Sequence, residues 1–85
     1  MTLRRTARFR KQYRRLPTPI QKKADRQLRR LIHDPHHPGL HVRKLVGTAD
    51  IWEARVDYHT RPTFQVTPTH LILRAIGSHA IYRQP

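Results

Sequence analysis

Hydrophobic periodicity changes once along this chain, at His36-His37-Pro38-Gly39, and that change constrains the fold more than any other feature. Before it, apolar residues recur at helical spacing; after it they alternate, as strands with one buried face require. Upstream, Phe9, Tyr13 and Leu16 stand four and three residues apart, with Thr6 placed to cap and Pro17 to stop the helix. Thr18-Pro19-Ile20-Gln21 reads as a second start: Thr18 as N-cap, Pro19 at the first helical position and Gln21 completing a capping box. Ile20, Ala24, Leu28, Leu31 and Ile32 form its apolar stripe, and Asp34-Pro35 ends it. So short a link predicts an antiparallel helical hairpin.

Downstream, Leu40 to Val46 reads as a strand and Gly47-Thr48-Ala49-Asp50 as the turn after it. Ile51 to Tyr58 alternates, with Trp52, Ala54, Val56 and Tyr58 directed at the helices and Glu53, Arg55 and Asp57 on an exposed face. Arg61 to Val66 repeats the pattern, Phe64 and Val66 inward and Arg61, Thr63 and Gln65 outward. Pro62 cannot donate to a ladder, so it calls for an edge position, a bulge or a late strand start. His70 to Ile76 is the last strand, and Thr2 to Arg5 carries a faint signal for one more. The expectation is a single α+β domain over residues 1–85, a helical hairpin packed on a small, mainly antiparallel four-stranded sheet.

Composition limits function. A chain of 85 residues has one small core. The absence of cysteine removes disulfides and thiolate metal sites. No apolar run approaches a membrane span, and Met1 to Tyr13 lacks the apolar segment of a secretory signal, so the chain reads as soluble and cytoplasmic. The formal charge of +13 is concentrated: residues 1–33 carry twelve Lys/Arg against Asp25 alone, residues 34–85 six against four acids. Such a field favours polyanions, nucleic acid or an acidic protein.

Chemistry-bearing residues cluster late in the chain. An apolar strand stops at Gly77 and is followed by His79 and Tyr82. Alternation puts Arg55, Arg61 and Arg43 on the face away from the helices, and Arg74 joins them if the last strand is a neighbour. Arginine forks suit phosphate oxygens. A histidine beside them can move the protons that RNA cleavage requires, a 2'-hydroxyl losing one and a 5'-oxygen gaining one. The plainer readings are an exposed turn histidine, a tyrosine covering an apolar edge, and cross-strand charge pairing of Glu53 with Arg55 and Arg61. His33, Asp34, His36, His37 and His41 match no metal-ligand spacing, and Pro35 and Pro38 interrupt them. No cofactor fingerprint is present.

Leu45-Val46-Gly47, Trp52-Glu53-Ala54-Arg55-Val56, Arg61 leading into Phe64-Gln65-Val66, and the ending Ile76-Gly77-Ser78-His79 with Tyr82 resemble, in order and spacing, the RelE/ParE superfamily of bacterial toxins. The resemblance implies a metal-independent endoribonuclease of a type II toxin-antitoxin system. Such a toxin cuts mRNA in the ribosomal A site and is neutralised by an acidic antitoxin, in a higher-order complex. It implies that Arg61 contacts the scissile phosphate, that His79 is a general acid, that Tyr82 stacks on or orients the substrate, and that Arg43 and Lys44 lie near the site. The paired lysines that some relatives carry on the second strand are not both present, which leaves Glu53 and His41 as candidates for the general base. The superfamily's other branch poisons DNA gyrase without chemistry. That branch, and a degenerate member acting as a basic RNA-binding protein, are the alternatives.

Overall fold

In the computed structural model, which describes residues 1–85, the chain runs β1 (Thr2–Arg5), α1 (Ala7–Arg14), α2 (Thr18–His33), β2 (Arg43–Lys44), β3 (Trp52–Glu53), β4 (Arg61–Val66) and β5 (His70–Gly77). Short 3-10 turns cover Pro38–Leu40 and His79–Arg83. The strands form one sheet in the order β1-β5-β4-β3-β2, with β1 parallel to β5 and all other pairs antiparallel. The class is the expected α+β with a mainly antiparallel sheet, but there are five strands, not four. Thr2–Arg5 supplies the extra one; its signal was faint because Leu3 is its single apolar residue, and its stability comes from pairing with His70–Leu73.

Thr6 caps α1 as the sequence predicts. Its hydroxyl accepts from the Phe9 amide at 3.1 Å and donates to the Arg74 carbonyl at 3.0 Å, so one side chain starts the helix and ties it to β5. The capping box expected at α2 does not form. Pro17 occupies the cap position and Thr18 is already helical. Gln21 donates instead to the Tyr13 carbonyl at 3.0 Å, which also accepts from the Leu16 amide, because the tight link brings the last turn of α1 against the first of α2. Tyr13 reaches across the hairpin to Asp25 at 2.7 Å. Phe9, Leu28 and Leu31 pack on Phe64, Leu71, Leu73 and Ile76, all nearly inaccessible to solvent, and each large apolar side chain so buried contributes about 1.5–3 kcal/mol.

Two expected strands are shorter than the alternation suggested. Leu40–Val46 reduces to Arg43–Lys44, because Pro38–Leu40 turns as a 3-10 helix and His41 takes a left-handed backbone (φ 46°). Ile51–Tyr58 reduces to Trp52–Glu53. Ala54 and Val56 are buried as expected, but the Arg55 amide leaves the sheet for the Leu40 carbonyl at 2.8 Å. The chain then turns on Asp57, whose carboxylate accepts from the His59 and Thr60 amides at 2.9 and 2.7 Å. Tyr58 and Val66, expected inward, are exposed; Glu53 and Thr63, expected outward, are fully buried. The second sheet face is therefore not free. His79–Arg83 folds back on it and buries Ile81. Pro62 lies in an interior strand and is accommodated by irregularity: a register shift follows at Thr63/Phe64, and the Ile76 amide opposite Pro62 donates to Gln12 at 2.9 Å.

Candidate phosphate cleft

Arg43, Glu53, Thr63 and Ala75 are successive cross-strand partners and so form one row on the face away from the helices. Arg61 lies two residues before Thr63 on the same face and is paired with Gly77. A Cβ at Gly77 would stand 3.0 Å from Ile81 Cγ2. Glycine there lets the chain double back, and the turn that follows sets Ser78, His79 and Tyr82 beside Arg61. The result is a cleft of about 360 Å³ lined by Arg43, Tyr58, His59, Arg61, Ser78, His79 and Tyr82.

Glu53 is the floor. One carboxylate oxygen accepts from Arg43 Nε and faces an Arg61 guanidinium nitrogen at 3.8 Å; the other accepts the Tyr82 hydroxyl at 2.6 Å. These are the two acid–base ion pairs of the whole chain, and both use the one fully buried acid. Two guanidinium groups against one carboxylate leave the cleft cationic. Burial, and then the hydrogen bond to Glu53, raise the Tyr82 hydroxyl above its ordinary value. The same carboxylate raises Arg43 further, mainly through their hydrogen bond. The His79 ring stands edge-on to Tyr82, with centroids 5.4 Å apart at 67°. Thr63 Oγ1 is buried without a hydrogen-bond partner.

Of the residues singled out by sequence, Arg43, Arg61, His79 and Tyr82 come together here. Lys44 does not: it pairs with Trp52 and lines an adjoining groove with Leu45 and Val46. Arg55 stands outside the cleft, 3.5 Å from His41 Nε2 and with its guanidinium 5.8 Å from the Tyr58 ring centroid. Arg74 has a structural task, donating to the Pro85 carbonyl at 3.1 Å and to Gln65 at 2.6 Å, and so anchors the C-terminal segment. Of the two candidate bases, Glu53 is enclosed and engaged on both oxygens, and His41 borders an apolar hollow elsewhere. Tyr58 and His59 line the cleft although sequence reasoning assigned them no role. Asp57 was the available signal, a turn residue read as part of a continuing strand. His36 and His37 border the same hollow as His41, His37 is engaged by the Gly39 amide, and no three ligand-type side chains converge. No helix is long and apolar enough to cross a membrane.

No family model matches this sequence, and no curated protein does. Solved structures do. A YoeB/ParE toxin from Agrobacterium tumefaciens superposes with a TM-score of 0.80 at 20% identity, over 93% of this chain and 99% of that one. The toxin of the intact E. coli RelBE toxin-antitoxin complex gives 0.73 at 19%, over 91% and 94%. That of the RelB-RelE antitoxin-toxin complex from Methanococcus jannaschii gives 0.77 at 18%, over 96% and 99%. The fold is that of the RelE/ParE toxins. The likeness spans nearly the full length of each chain. At these identities it is a likeness of backbone, and the chemistry rests on the residues this chain places there.

Proposed function

We propose that this chain is the toxin of a type II toxin-antitoxin system, a metal-independent endoribonuclease that cuts mRNA on the ribosome and is neutralised by an acidic antitoxin. One observation carries the reading: the cleft sets the cations Arg61 and Arg43 and the imidazoles His79 and His59 around a space the size of a nucleotide phosphate and sugar. The 2'-oxygen attacks phosphorus, the P–O5' bond breaks, and the products are a 2',3'-cyclic phosphate and a 5'-hydroxyl. His59 accepts the 2'-hydroxyl proton and His79 gives one to the departing 5'-oxygen, so protons balance. Arg61 and Arg43 stabilise the additional negative charge of the pentacovalent transition state. Tyr82, held by Glu53, orients the nucleotide.

The test is induction of wild type and His79→Ala in growing cells, with mapping of mRNA 5' ends. New within-codon cuts from wild type and none from the variant support the reading. Equal growth arrest by both without new cuts points to the gyrase-poisoning alternative, and no arrest by either points to a degenerate, RNA-binding member.

A further inference from the structure

Away from the cleft, on the outer side of α2, Lys23, Arg26 and Arg30 surround a hollow of about 250 Å³ closed by Gln27 and Val56. Spacings of three and four residues put the three cations on one helix face. None has an acid within ion-pair distance, since both ion pairs of the chain are at Glu53. Asp57 feels the charge of Lys23, but its carboxylate is engaged by two backbone amides. Cations are crowded here without internal compensation, which costs self-repulsion unless an external anion relieves it.

The hollow is also pre-shaped. Gln27 is nearly buried, and its amide nitrogen donates to the Arg55 carbonyl at 2.7 Å and the Gly39 carbonyl at 3.2 Å. Its oxygen accepts from Arg30 at 3.1 Å. That guanidinium nitrogen would be 3.7 Å from a Cβ built at Gly39, so the Arg30 head is seated against the backbone. An arginine fixed in this way loses little rotamer freedom when an oxyanion arrives.

We infer that this hollow is a second phosphate site, which holds the RNA backbone outside the cleft. The inference rests on the nucleic-acid reading above. Two features favour RNA over an acidic polypeptide. Val56 is the hollow's single apolar lining residue, so it offers nothing to the side chains of an amphipathic segment. It is also joined to the cleft: Val56 lines the hollow and Tyr58 lines the cleft, at most about 7 Å of chain apart. Arg55, next to Val56 in the chain, brings its guanidinium to 5.8 Å from the Tyr58 ring centroid. A strand of a few nucleotides can therefore engage both.

The test measures binding of a short 2'-O-methyl RNA, which cannot be cleaved by 2'-oxygen attack, by fluorescence anisotropy across a salt series. Wild type is compared with the triple variant Lys23→Gln/Arg26→Gln/Arg30→Gln and with a matched control, Arg4→Gln/Arg10→Gln/Arg14→Gln, after thermal melts establish that each folds. The inference requires the α2 variant to lower the slope of log K against log salt by about 2, and affinity at low salt by roughly tenfold or more, with the control changing both much less. Equal losses in the two variants would mean a diffuse field and overturn it. So would unchanged RNA binding by the α2 variant accompanied by weakened binding of a poly-aspartate peptide. Wild type that binds through the hollow yet cuts no RNA in cells would defeat the ribonuclease reading and leave the second site standing.

Discussion

The hydrogen bond between Tyr82 and Glu53 is the contact by which the C-terminal segment is fastened to the floor of the cleft, and its strength can be measured without knowing the substrate. Tyr82→Phe keeps the ring and its edge-on contact with His79 but leaves one oxygen of a fully buried carboxylate without its donor. Hydrogen bonds to charged groups contribute about 1.5–3 kcal/mol net. Water reaches Tyr82, which is only half-buried, so the lower part of that range applies, about 1.5–2 kcal/mol, or a fall in Tm near 10 °C for a domain of this size. Glu53→Gln retains shape but removes the charge that Arg43, Arg61 and Tyr82 share. Urea denaturation of wild type, both single variants and the double variant gives the coupling energy, expected at about 1–2 kcal/mol. A coupling below about 0.5 kcal/mol, the usual additivity error, would refute the claim that Glu53 holds Tyr82.

The same pair predicts an alkaline effect with a definite sign. The fold raises the Tyr82 hydroxyl above its ordinary value, so it favours the neutral phenol. The stabilisation is complete below about pH 10 and is lost as pH rises through the higher folded value; Tyr82→Phe should flatten that part of the alkaline limb.

Two further outcomes follow from the turns around the cleft. Burial of Asp57 opposes its charge, but the Thr60 and His59 amides outweigh this and hold the carboxyl below its ordinary value; its stabilisation is present above about pH 4 and lost as pH falls through the lower folded value, so Asp57→Ala should flatten the acid limb of a stability–pH curve and also reduce cleavage by releasing His59. Gly77→Val should drive a branched side chain into Ile81, displace His79 and Tyr82, and reduce cleavage on the order of a hundredfold at a stability cost of about 1–3 kcal/mol, as read from single-turnover assays and thermal melts.

How far the sequence discloses this molecule depends on what each residue type responds to. The two helices were legible because Phe9 and Tyr13 on α1, and Ala24, Leu28 and Leu31 on α2, each recur at helical spacing along one face. The strand ends were not. Alternation cannot register a ladder abandoned after two residues when Ala54 and Val56 remain buried through loop contacts. Glu53 was misread for a related reason: period 2 places it opposite Trp52 and Ala54, which is right, but only the fold-back of residues 79–83 turns that opposite face from surface into interior. Within the site, Arg61, His79 and Tyr82 were visible through residue type and order. His59 was not, because its position depends on a turn held by Asp57.

On the proposed reading a buried acid in the cleft looks counterproductive, since it cancels part of the charge that would attract a phosphate. The geometry suggests what it gives in exchange. Arg43 is mostly exposed and sits at the end of a two-residue strand, where a long side chain would otherwise sample many rotamers. Tyr82 belongs to a short 3-10 turn beyond the last strand, outside the ladder of the sheet. Glu53 fixes both, and it does so from a position that is itself pinned in the cross-strand row. Arg61 is only loosely drawn to the same carboxylate, at 3.8 Å, and so keeps its donors for a ligand. On that reading the carboxylate lowers attraction for phosphate in general while holding the groups proposed to meet a reacting phosphate in one arrangement, and fixed groups contribute most to the transition state.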